Sequence, residues 1–126
     1  MDKGYYRYPT ISGDRIVFAC EDDLWSVSAD GGTAVRLTVS AGACTYPRLS
    51  PDGRRLAFVS VDDGNPEVYV MPAGGGAPRR LTFLGGTLTA VSGWSEDSAT
   101  IYFVANSTAW YNGETRAFSI SADGGV

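Results

Sequence analysis

The chain has 126 residues, of which 44% are hydrophobic and 12% aromatic, and its formal net charge is −4. That apolar content supplies a real core and excludes disorder over most of the length, while the mildly acidic balance excludes the broad positive field that draws nucleic acid or an anionic membrane. There is no histidine and only two cysteines, Cys20 and Cys44, which excludes Ser-His-Asp and Cys-His catalysis, a disulfide framework and a four-thiolate zinc cage.

In chain order, residues 1–6 hold no apolar leader, and no later run approaches the roughly 18 apolar residues of a membrane helix. A reducing, cytoplasmic location is therefore expected. Tyr8-Pro9-Thr10-Ile11-Ser12 reads as a first strand, and Ser12-Gly13-Asp14 as the turn after it. Ile16-Val17-Phe18-Ala19 is a short apolar run of strand chemistry, and Cys20 after it is expected to behave as a small buried hydrophobe. Asp23-Leu24-Trp25-Ser26-Val27 forms the third segment, Ala29-Asp30-Gly31-Gly32 a glycine hairpin turn, and Ala34-Val35-Arg36-Leu37-Thr38 the fourth.

The pattern then repeats. Tyr46-Pro47-Arg48-Leu49-Ser50 repeats the first segment, Arg54-Arg55-Leu56-Ala57-Phe58 the second, Glu67-Val68-Tyr69-Val70-Met71 the third, and Arg80-Leu81-Thr82 the fourth. Ala99-Thr100-Ile101-Tyr102-Phe103 and Arg116-Ala117-Phe118-Ser119-Ile120 repeat the second and third once more. A period of roughly 40–45 residues built from four strand-like segments is that of a β-propeller blade, whereas ankyrin and tetratricopeptide units are shorter and helical. The second segments are nearly continuous in apolar residues, so both faces of each blade are expected to be buried. The expected fold is all-β, one partial propeller over residues 1–126. Its four-stranded antiparallel blades fall at about 7–38, 45–82 and 90–126, half of a six-bladed ring. The third unit reaches its third strand and hairpin at the end of the sequence, so the chain reads as part of something longer.

Each remaining polar cluster has an ordinary reading. Arg54-Arg55 and Arg79-Arg80 are expected at solvated strand ends, and Cys44 in a loop. Glu21-Asp22-Asp23, and Asp62-Asp63-Gly64-Asn65 with Glu67, fall at the hairpin between second and third strands without the spacing of a calcium loop, so solvated acids are expected rather than a metal site. No Gly-x-Ser-x-Gly elbow occurs, and Gly74-Gly75-Gly76 lacks the Lys-Ser/Thr and helix of a phosphate loop. The expected catalytic residues, cofactors and metals are none. The innermost strands would line a central channel, which makes Tyr8, Thr10, Tyr46, Arg48, Ser92 and Trp94 the candidate peptide contacts. Trp110-Tyr111-Asn112-Gly113 is expected in a long hairpin that could serve as a surface binding loop.

Gly13-Asp14-Arg15-Ile16-Val17-Phe18 followed by Glu21-Asp22-Asp23-Leu24-Trp25, and Leu49-Ser50-Pro51-Asp52-Gly53-Arg54 later on, resemble the opening of the tricorn proteases, within the wider propeller group of TolB and the prolyl oligopeptidase relatives. The resemblance covers roughly residues 5–126. It implies the N-terminal propeller of a large cytoplasmic serine peptidase, non-catalytic in itself, that filters or channels peptides toward a catalytic region elsewhere. The partners it implies are further propeller blades, supplied by the rest of a longer chain, and peptides. A stand-alone scaffold that closes its ring by homo-oligomerisation is the alternative. An open blade face of roughly 300–500 Å² leaves about 8–12 kcal/mol of apolar burial unrealised at ~25 cal/mol/Å², and two copies would make six blades.

Overall fold

Every repeated segment forms a strand. The computed structural model describes residues 6–38, 42–62, 64–106 and 115–124. The first unit contains β1 (Arg7–Ser12), β2 (Arg15–Cys20), β3 (Asp23–Ser28) and β4 (Val35–Arg36). The second contains β5 (Cys44–Leu49), β6 (Arg55–Ser60), β7 (Glu67–Pro72) and β8 (Arg79–Arg80), and the third β9 (Thr89–Trp94), β10 (Thr100–Ala105) and β11 (Arg116–Ser121). Each unit is its own antiparallel sheet, with strands in chain order: four, four and three strands. The segment Trp110–Gly113 lies outside the described residues.

The turns follow from local chemistry. Glu21 and Asp22, at φ 51° and 72°, form a two-residue connection between β2 and β3 with both residues left-handed, the geometry that matches strand twist. Ser50-Pro51-Asp52-Gly53 closes on itself: the Ser50 hydroxyl donates to Asp52 Oδ1 at 2.6 Å, and the Arg54 N–H donates to the same oxygen at 3.0 Å. Ser95 and Asp97 repeat this at 2.6 Å, with the Ala99 N–H at 3.0 Å. Ser98 takes the left-handed place of Gly53, at φ 61° against 75°.

The serine hydroxyl first, and the backbone N–H second, hold the Asp52 and Asp97 carboxyls below their ordinary value of 3.8. A folded-state pKa below the unfolded one adds stability that is present above the unfolded value and lost as pH falls through the folded one. Asp97→Asn is therefore expected to lower the urea midpoint at pH 7 and to make little difference once the carboxyl is protonated. Equal losses at both pH values would remove the carboxylate from the explanation.

Pleating divides each sheet into two faces. Val17, Ala19 and Leu24 of the first sheet pack on Cys44, Leu49, Leu56, Phe58, Tyr69 and Met71 of the second. Ala57, Val59, Val68 and Val70, on the opposite face of the second sheet, pack on Val91, Ile101, Phe103 and Ala105 of the third. Among the described residues, only the second sheet is buried on both faces, as β6 and β7 show by having nearly every residue buried. Among the described residues, the first and third sheets each keep one face on which no other sheet packs: Ile11 is 62% exposed and Tyr102 45%. The expectation of two buried faces therefore holds for one unit, because burial of a blade requires sheets on both sides.

Two local expectations are corrected. Cys44 is not in a loop; it opens β5, is buried, and its N–H donates to the Asp22 carbonyl at 3.0 Å. Glu67 is not solvated but fully buried at the start of β7. Its carboxylate accepts from the Thr82 hydroxyl at 2.5 Å and from the N–H groups of Leu84 and Gly85 at 2.9 and 3.0 Å, with Arg80 at 3.5 Å. The Thr82 hydroxyl in turn accepts from the Val68 N–H at 2.9 Å. Thr38 repeats the motif in the first unit, bridging the Leu24 N–H and Asp23 at 2.9 Å each. The recurring Arg-Leu-Thr thus ties the short outer strand to the acid that opens the third strand.

Candidate functional site

The three sheets converge at their first strands, β1 packing on β5 and β5 on β9. Each of these strands carries one extra residue relative to its partner: between Arg7 and Thr10, between Thr45 and Arg48, and between Val91 and Gly93. Such bulges bend a strand and re-aim its side chains, and they recur beside functional sites. In the first two units the bulge holds the residue before proline left-handed, Tyr8 at φ 55° and Tyr46 at φ 52°. Proline bars its predecessor from the right-handed helical region, and the bulge selects a sparsely populated alternative.

The bulges bring Tyr8 and Tyr46 together, ring centroids 4.6 Å apart and planes tilted by 42°. A hydrogen bond with the Tyr8 hydroxyl, then partial burial, then repulsion between the two phenolates raise the Tyr46 pKa above its ordinary 10.0. The Arg7 guanidinium lies 5.6 Å from the Tyr8 ring centre. The Thr10 hydroxyl accepts from the Leu49 N–H at 3.2 Å, so it fastens β1 to β5. Arg48 and Ser92 are exposed on β5 and β9.

Trp94 departs from the arrangement expected. The pairing register sets Ile11 opposite Ile16, Leu49 opposite Leu56 and Trp94 opposite Ile101, so Trp94 matches Ile11 and Leu49, and Gly93 matches Thr10 and Arg48. The indole packs against the second sheet and donates to the Arg48 carbonyl at 2.8 Å. Of the six candidates, Tyr8, Tyr46 and Thr10 therefore meet at the seam between the first two sheets, Trp94 and Arg48 at the next seam, and Ser92 stands at the third bulge.

Of the two basic doublets expected at solvated strand ends, Arg54 and Arg79 are exposed, whereas Arg55, which opens β6, is partly buried, as is Arg15 at the same place in β2. Arg15 donates to the Ser26 hydroxyl at 3.3 Å and, across the seam, to the Ala73 carbonyl of the second sheet at 3.1 Å. Arg55 repeats the reach: it donates to the Ser98 carbonyl and to Asp123, each at 2.9 Å, and its guanidinium lies 5.6 Å from the Trp94 ring centre. Arg79 donates to the Ala122 carbonyl at 3.4 Å. The signal available in the sequence was the recurrence of arginine at the same place in two repeats. Among the described residues no group of three Cys, Asp or Glu side chains comes together as metal ligands would. A cavity of about 260 Å³ opens beside Leu37, Cys44, Phe58 and Tyr69, between the first two sheets.

The comparisons with known proteins agree with this fold. The family model described as the tricorn protease N-terminal beta propeller domain matches residues 3–126. The chain belongs to that family. Tricorn protease homolog 1 of Streptomyces coelicolor is 43% identical over 93 residues, which are 74% of this chain and 9% of that protein. The tricorn protease homolog of Saccharolobus solfataricus is 39% identical over 100 residues, 75% of this chain and 9% of that protein. The crystal structure of the tricorn protease superposes with a TM-score of 0.80 at 25% identity, over 98% of this chain and 13% of that one. TolB from Acinetobacter baumannii superposes at 0.77 over 95% of this chain and 31% of that one, at 23% identity, which shows the shared fold. The chain thus spans about a tenth of the length of these tricorn relatives.

Proposed function

We propose that the chain is a non-catalytic part of a tricorn-like serine peptidase, located in the cytoplasm, and that its first-strand edge contacts peptides on their way to or from a catalytic region. Family membership over residues 3–126 carries this reading. The converging bulges support it: they hold a tyrosine pair and an exposed Arg48 at one edge, residue types that suit peptide recognition. Closure of a ring by copies of this chain alone is the second reading. It requires the free face of the third sheet to pack on that of the first, and it is disfavoured because Thr100 and Tyr102 stand there where the two formed seams carry an arginine and a small aliphatic residue.

The test is anisotropy of fluorescein-labelled unstructured peptides of about 8–12 residues. Binding is expected without hydrolysis, and Tyr46→Ala or Arg48→Ala should weaken it about fivefold or more, the loss of a contact worth over 1 kcal/mol. Unchanged binding in both folded variants would remove the first-strand edge from the mechanism.

A further inference from the structure

Acidic side chains and unpaired arginines are sorted onto different parts of this molecule. None of the 14 Asp and Glu residues falls in β1, β5 or β9, the three strands that meet at the first-strand edge. Asp23 and Glu67 open third strands, and most of the others lie in or beside hairpins. The same three strands carry two arginines, Arg7 and Arg48, both exposed. In a chain of net charge −4, the edge is a local reversal of sign.

Arginines elsewhere are used within the fold. Arg36, Arg55 and Arg80 pair with Asp23, Asp123 and Glu67 at 3.7, 2.9 and 3.5 Å. Arg15 and Arg79 donate to the Ala73 and Ala122 carbonyls of the next sheet, and Arg54 stands beside Asp52 in its hairpin. Arg7 and Arg48 have no carboxylate or carbonyl partner among the described residues; Arg7 lies against the face of the Tyr8 ring. The tyrosine pair adds a donor to this edge. One hydroxyl proton is used between Tyr8 and Tyr46, which leaves the other to donate outward. Guanidinium and phenol O–H groups suit carboxylate oxygens, which an arginine can hold through two parallel hydrogen bonds.

We propose that the first-strand edge selects peptides by their acidic side chains, with Arg7 and Arg48 as the two carboxylate contacts and the tyrosine pair as a hydrogen-bond donor between them. By register Arg7 stands level with Thr45, three places before Arg48, which separates the two cations by about 10 Å along the strand direction at ~3.3 Å per residue. A peptide in the polyproline II conformation, common in unfolded chains, brings residues three apart to the same side at a spacing of about 9 Å. Two acidic residues three positions apart therefore match the two arginines. The inference rests on the reading of this edge as a peptide contact, and it supplies the chemical class of peptide that the reading leaves open.

The experiment compares unstructured peptides that differ only at two positions three apart, where they carry Glu, Gln or Lys. An amidated C-terminus and an uncharged dye on the N-terminus keep terminal charges out of the comparison. Anisotropy is expected to show the Glu peptide binding about fivefold or more tightly than the Gln peptide, the combined effect of two exposed ion pairs, with the Lys peptide weaker still. The Glu-over-Gln excess should shrink as salt is raised from about 50 to about 500 mM, because exposed charges are screened. Arg7→Gln and Arg48→Gln should each remove most of the excess. Arg54→Gln makes the same change of net charge on an exposed hairpin residue and should leave the excess in place. Circular dichroism confirms that each variant is folded. Equal affinity for the Glu and Gln peptides overturns this inference and leaves peptide contact standing. A loss in Arg54→Gln as large as that in Arg48→Gln also overturns it, since overall charge rather than the edge would then read the peptide. Binding of none of the three peptides overturns both readings.

Discussion

Replacing Glu67 by alanine is expected to lower the unfolding free energy by about 3–5 kcal/mol, the range found when one partner of a buried charged network is removed. The size follows from what the carboxylate satisfies. Leu84 and Gly85 point their N–H groups at it, and the Thr82 hydroxyl donates to it. Glu67 is fully buried, so few of these donors can turn to water when it goes. The damage should spread beyond the second sheet. Residues 83–88 lead to β9, and their far end is held by Asn106, whose Oδ1 accepts from the N–H groups of Thr87 and Leu88 at 2.8 Å each. Asp23→Ala, at the same place in the first sheet, should cost about 1 kcal/mol, since that carboxylate is partly exposed and its arginine partner half-exposed. Urea denaturation of both variants checks the ranking. Equal losses would show that burial is not what makes the acid matter.

Phe58→Ala should be similarly damaging, at about 3–5 kcal/mol, the usual range for a buried phenylalanine. Its ring is 1% exposed, stacks on Tyr69 with centroids 5.7 Å apart, and stands in the cluster between the first two sheets. Phe18 has the same place in the first repeat but is only partly buried, with no sheet of the described residues over it; Tyr6 meets its ring edge-on at 5.5 Å. Phe18→Ala should therefore cost about 1–2 kcal/mol, the share of a side-chain transfer energy that remains when burial is partial. Addition of a sheet over the first one should raise the Phe18 penalty toward that of Phe58. A Phe18→Ala loss as large as that of Phe58→Ala would mean that the free face is already covered in solution.

The two pairs of substitutions bear on one physical point. Repeats that are alike in sequence are not alike in energy, because a blade draws much of its stability from its neighbours. A face that is apolar in the same register as two buried faces is a surface that lacks its neighbour.

Much of this molecule was legible in its sequence. The repeated Tyr-Pro, the apolar second segment, the Ser-Pro-Asp-Gly turn and the glycine hairpins each act within a few residues, through backbone preference and local hydrogen bonds. They fixed the strands, their order and the propeller class. The seams were decided only in three dimensions. Nothing local distinguishes Glu67 from a solvated acid, because its partners lie on the outer strand and the linker that follows. Arg55 looks like a strand-end charge until the third sheet brings the Ser98 carbonyl and Trp94 beneath it. The place of Trp94 also escaped the sequence. With a side-chain period of two, a bulge one residue away decides which face a residue joins. Local chemistry made the sheets; contact between sheets distant in the chain decided which of their residues are buried, paired or free.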